Sequence, residues 1–216
     1  MGDGERTERD TGMRWTLDDV IEAAFTTLEA EGLEKLTLRG VARTLGSHLN
    51  SVSSYVKTKQ TLIDTMADHI VGSVDVTHLP DEPVERVRTV ATRYRDALLA
   101  HRDGGRLVAG TFTGTGKTLR VAETIVGALL DAGYHEADAA RLCWSIVYFT
   151  LGLTQEQQTP SGTPRGSFHE LVATGSYPAL ARIGEHLMAS DSFDDRFRYG
   201  LSRLLPPRTR TREHRT

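Results

Sequence analysis

The residues best suited to chemistry form a basic island between Leu33 and Ile63. Lys35, Arg39, Arg43, Lys57 and Lys59 face one acid, Glu34, in a chain whose net charge is −3. Cations gathered on one stretch of an acidic protein make a surface for phosphate. Arg39 adds a planar fork of donors that fits the O6/N7 edge of guanine. Leu49, Asn50, Ser51, Ser54 and Tyr55 follow closely. Asn50 and the serines offer hydrogen bonds to base edges, while Leu49 or Tyr55 offers apolar contact with a thymine methyl. The competing reading is a solvated face on an ordinary helix pair.

Other constellations are weaker. The run Gly110-Thr-Phe-Thr-Gly114-Thr-Gly116-Lys117-Thr118 resembles a phosphate-cradling loop, but five residues rather than four separate Gly110 from Gly116. No β-branched strand precedes it. A Gly/Thr connection between helices accounts for it better, and a nucleotide-binding enzyme using residues 110–118 stands as the alternative function. The histidines are scattered, with no i, i+4 pair suited to zinc, and His169-Glu170 lacks the second histidine of a zincin. There is no Gly-x-Ser-x-Gly elbow and no Cys/His spacing suited to nucleophilic catalysis. No enzymatic activity, metal or cofactor is expected.

Composition bounds the architecture. With 216 residues, 38% hydrophobic and 25% charged, the chain has the make-up of a soluble globular protein of one or two domains. Its one cysteine, Cys143, allows no intrachain disulfide and points to a cytoplasmic location. The polar, charged start carries no secretory signal, and the apolar runs are too short to span a bilayer, so no membrane association is expected. Few prolines and many Ala, Leu and Arg favour an all-α fold.

The positioning elements follow from periodicity. Residues 1–13 read as a disordered tail. Thr16 caps a helix running to about Glu31, with Val20, Ile21, Ala24 and Leu28 inward. Two short helices follow, one through Leu38, Val41, Ala42 and Leu45, the other from Leu49 to Tyr55, split by Gly46. Joined by so few residues, they must cross steeply, as in a helix-turn-helix. A fourth helix, 59–74, is capped by Thr58. This places a DNA-binding domain at 14–64. A second helical domain occupies 65–205, with helices at 84–101, 117–132, 136–157, 178–189 and 191–205. Gly104-Gly105 is expected to end the first of these. The helix at 136–157 is apolar on nearly all sides and is expected to be buried on nearly all sides. Residues 159–167 read as a loop. Residues 206–216 form a basic, disordered tail that either attracts phosphate weakly or is simply solvated.

The run LTLRGVARTLGSHLNSVSSYVKTKQTLIDTM, preceded by an amphipathic helix ending at Glu31-Gly32-Leu33, resembles the N-terminal domain of the tetracycline-repressor (TetR) family. The likeness rests on Leu36-Thr37-x-Arg39, Val41-Ala42-x-x-Leu45-Gly46, Tyr55-Val56-Lys57-x-Lys59 and Leu62-Ile63-Asp64. It departs at Ser47, usually an apolar turn residue, and at Ser53, usually a phosphate-contacting Tyr. LLAHRDGGRLVAGT and YFTLG-x-x-x-Glu156 are similar to the effector domain of the tetracycline-repressor class, so the likeness spans roughly Trp15 to Leu205.

The resemblance implies an all-helical homodimer on a palindromic double-stranded operator, released by a small-molecule effector, with helices like those at 136–157 and 191–205 building the dimer interface. Nothing in the sequence separates repressor from activator. Arg39 matches the position that reads guanine, and Thr37, Ser53 and Lys59 fall at phosphate-contacting positions. Met66, Ile70, Val90, Tyr94, Leu98, Val108, Phe112, Ile125 and Tyr148 would line the effector cavity, with Thr111 and Glu156 orienting polar groups. Tyr94, Phe112 and Tyr148 read equally as core. In the resembled class a His and an Arg help hold magnesium–tetracycline, and their places are taken here by Val108 and Phe112. Glu156 alone is a poor magnesium site.

Overall fold

The computed structural model describes residues 15–111, 114–159, 170, 172, 175–188 and 192–206. The expected N-terminal tail, the C-terminal tail beyond Pro206, Phe112 and most of the 159–167 loop lie outside the described residues. These form helices with no strand among them, and none of the helices is long and apolar enough to cross a membrane. The chain divides into two compact units, Met1–Met66 and Ala67–Thr216.

In the first unit, α1 (Leu17–Glu31) opens with a reciprocal cap. Thr16 Oγ1 accepts from Asp19 N–H at 3.2 Å, and Asp19 Oδ2 accepts from Thr16 N–H at 2.7 Å. The Thr16 hydroxyl, and then its backbone amide, hold the Asp19 carboxyl below the ordinary aspartate range. α1 buries Val20, Ile21, Ala24 and Leu28 against α2 (Leu38–Thr44). Thr37 caps α2, accepting from Gly40 N–H at 3.0 Å. The turn comes at Gly46, whose φ of 67° lies in the left-handed region that glycine enters without strain. There Ser47 N–H donates back to Ala42 O at 2.9 Å. α3 (Leu49–Ser53) stops two residues short of the expected Tyr55 but still buries Val52, and Val56 after it. α4 (Lys59–Gly72) starts behind Thr58, whose hydroxyl accepts from Thr61 N–H at 3.0 Å. Its first half belongs to this unit and its remainder to the second.

The second unit is built around α8 (Glu136–Gln158), which touches α5 (Pro83–Leu99), α6 (Gly104–Val108), α7 (Gly116–Asp131) and α10 (Phe193–Leu204). α9 is Pro178–Met188. The 73–82 connection is sewn to α5 by arginines. Arg93 donates to the carbonyls of Asp75 and Thr77, both at 2.8 Å, and Arg86 donates to those of Pro80 and Asp81.

Two expectations are corrected here. Gly104 and Gly105 begin α6 rather than ending α5. A Cβ at Gly104 would run into Leu98 O, so the glycine is needed for this close approach of α6 to the end of α5. Gln158 completes that corner, donating to Leu98 O at 3.2 Å and His101 O at 2.8 Å while accepting from Gly105 N–H at 3.0 Å. α8, in turn, is not buried on nearly all sides within this chain. Trp144 and Tyr148 stack at 5.4 Å on its outer face, with Tyr148 63% exposed.

Arg95 is the one buried charge on α5. It donates to Gln157 Oε1 at 2.6 Å, pairs with Asp194 at 2.8 Å and lies 5.0 Å over the Phe197 ring. Phe197 stacks in turn on Phe149 of α8 at 5.8 Å.

Candidate functional site

The first unit presents a short second helix beside an arginine-bearing first one. Arg39, Asn50, Ser54 and Tyr55 are exposed, Leu49, Ser51 and Ser53 are half-buried, and Val52 holds the helix down. Thr37 spends its lone pair on the Gly40 amide, so its own proton remains to donate. Lys59 is exposed, but its Nζ donates to Leu33 O and Glu34 O, both at 3.2 Å. An ammonium has three donors, and this pairing aims the remaining one from a fixed position. Tyr55 donates its phenol to Trp15 O, which fixes the ring. The serines are engaged locally, Ser53 with Leu49 O at 2.9 Å and Ser54 with Ser51 O at 2.7 Å. Arg43 is occupied by Glu31 at 2.6 Å, so it contributes less free charge than the sequence implied. His48, exposed at the start of α3, was passed over. The signal lay in the helix-turn-helix rule that the first residues of the second helix meet the bases.

In the second unit the expected effector wall divides. Val90, Tyr94 and Leu98 on α5, Val108 on α6 and Ile125 on α7 are all buried, on helices that pack together, as is Ile70 of α4. Met66 is buried too, as part of the first unit. Burial alone pushes the Tyr94 phenol above its ordinary value. Thr111 is half-buried, its hydroxyl on Val108 O at 2.7 Å. Tyr148 is corrected: it points outward against Trp144, because its position on α8 faces away from α5 and α7. Glu156 is likewise exposed. Sequence reasoning missed Thr154, a buried threonine on α8 whose hydroxyl has no hydrogen-bond partner. Only tertiary burial distinguishes it from its neighbours.

The Gly/Thr loop behaves as a helix connection. Thr115 caps α7, and its hydroxyl donates to Asp68, so a carboxylate sits at the helix start where a phosphate-binding loop would hold its anion.

A helix-turn-helix joined to an all-helical second domain defines a DNA-binding transcriptional regulator. The family of tetracyclin repressor-like C-terminal domains matches residues 79–206. The class E tetracycline repressor protein of Escherichia coli is 34% identical over 195 residues, covering 89% of this chain and 90% of that protein. A possible TetR family transcriptional regulator from Streptomyces coelicolor A3(2) has 37% identity and a TM-score of 0.77, with 87% and 96% of the two chains covered. The Streptomyces coelicolor protein ActR, in complex with actinorhodin, has 25% identity and a TM-score of 0.77, with 89% and 94% covered. The chain belongs to the tetracycline-repressor family, a family of transcriptional regulators rather than enzymes.

Proposed function

We propose that this protein is a homodimeric repressor that leaves a palindromic operator when a bulky, aromatic or polyketide-like molecule binds its second domain without a metal. The observation that carries the reading is the buried, apolar surround of Val108. Magnesium–tetracycline carries a polar, hydrated shell, and leaving that shell unpaired against Val90, Leu98, Val108 and Ile125 costs several kcal/mol. An aromatic ligand instead gains from apolar burial, with the Tyr94 phenol and the Thr154 hydroxyl available to orient it. The complex of ActR with actinorhodin supports a polyketide-like ligand. Ligand and DNA compete only through differential affinity for two conformers of α4. Titrating the protein–DNA complex with tetracycline, with and without magnesium, and with metal-free actinorhodin is the test. Release by the metal-free aromatic is expected. Tight, magnesium-dependent release by tetracycline alone sinks this view of the pocket.

Arg39 reads a base in this account and Lys59 holds a phosphate. Arg39→Ala is expected to cost about 1–3 kcal/mol of DNA binding and to relax preference at one base position. Lys59→Ala should weaken every sequence alike and reduce the salt slope by about one. Gel shifts on a set of single-base operator variants separate the two. An even loss for both mutants, with preference unchanged, removes Arg39 from base readout.

A further inference from the structure

An effector acting near Val108 and Thr111 needs a route to α4, and the geometry points to Asp68 as the joint; this inference rests on the functional reading above. Thr115, the N-cap residue of α7, accepts from Thr118 N–H at 3.5 Å and donates its own proton to Asp68 Oδ1. The Thr118 hydroxyl donates to the same oxygen at 3.3 Å. One turn further along α4, Arg120 donates to Gly72 O at 3.2 Å. The stem of Lys117 covers Gly72, where a Cβ would meet Lys117 Cδ at 2.5 Å. The last part of α4 is thus clasped at two heights by the first turns of α7.

Chemistry explains why the clasp holds and why it can open. A carboxylate at a helix N-terminus is favoured by the helix dipole and by charge-assisted hydroxyl bonds. Such bonds weaken steeply with misalignment, and Thr115 closes the segment that begins after α6. A ligand that displaces this segment from Val108 or Thr111 draws the Thr115 hydroxyl off Asp68. α4 is one continuous helix from Lys59 to Gly72, so unclasping its end multiplies the poses of the DNA-binding unit. Two recognition helices must enter grooves about 34–36 Å apart, and extra poses have to be ordered again on binding.

The test uses the full chain with Asp68→Ala, Thr115→Val, Thr115→Ser and the Asp68→Ala/Thr115→Val double variant. Amide exchange over residues 69–72 is one readout, and affinity for DNA from upstream of the chain's own gene is the other. Thr115→Val and Asp68→Ala are each expected to speed exchange in α4 and to weaken DNA binding about tenfold. The double variant should be no worse than either single one, and Thr115→Ser, which keeps the hydroxyl, should behave as wild type. Unchanged exchange in Thr115→Val overturns the clasp. Faster exchange with unaltered DNA affinity, while Arg39→Ala still weakens binding, overturns its role as the joint. A wild-type chain that binds no DNA overturns the functional reading instead, and the exchange data then decide the clasp alone.

Discussion

The double variant Tyr148→Asp/Tyr199→Asp is expected to sediment as a monomer at micromolar concentration and to bind operator DNA at least about a hundredfold more weakly. Trp144 and Tyr148 form an exposed stack on α8, and Tyr199 is 63% exposed on α10, the helix that packs beside it. Aromatic side chains bury roughly 150–250 Å² each at an interface. At about 25 cal/mol per Å², three such rings per copy are worth several kcal/mol, and two-fold symmetry doubles the contribution. An aspartate at each position removes that gain and brings two desolvated charges into the seam. A face of this kind depends little on ion pairs, so the wild-type dimer should persist in high salt. A double variant that remains dimeric moves the interface elsewhere. A wild-type monomer at the same concentration removes the two-half-site mechanism.

Arg95→Ala is expected to lower the free energy of unfolding by about 3 kcal/mol, measured by urea denaturation. The guanidinium is 4% exposed and joins α5 to Gln157 of α8 and Asp194 of α10 while covering the Phe197 ring. Truncation removes these contacts and opens a void above a ring that is itself stacked on Phe149. Asp194→Ala should cost less, about 1 kcal/mol, because the Asp194 side chain is 71% exposed and Gln157 still holds the arginine. Arg95→Met, which keeps most of the packing, should fall between the two. Equal losses for Arg95→Ala and Asp194→Ala contradict the view that burial of the arginine is what matters.

Local signals were the legible ones. The Thr16–Asp19 cap, the Gly46 turn and the Thr58 start of α4 each depend on residues within a few positions, and the sequence displays them directly. The Gly104-Gly105 pair misled because a glycine that ends one helix and a glycine that admits a close neighbour look alike until Leu98 O is placed against it. Tyr148 shows the limit of periodicity. An all-apolar helix does not declare which of its faces waits for another chain. Lys59 was legible as a cation, but its carbonyl partners, Leu33 and Glu34, lie 25 and 26 residues away along the chain. Asp68, on the solvent side of the α4 pattern, carried no signal at all. Its meaning comes from threonines 47 and 50 residues further on.

The three bonds of Gln158 also set a length. Its amide spans from Leu98 O and His101 O to the Gly105 amide, so residues 99–104 must cover one fixed distance. Surface turns ordinarily tolerate added residues. This one does not, since a single insertion lifts either the carbonyls or the amide off Gln158 and carries Gly104 away from Leu98. Among homologous chains the turn can therefore change in composition but not in residue count, which makes it a fixed ruler for the alignment of effector domains.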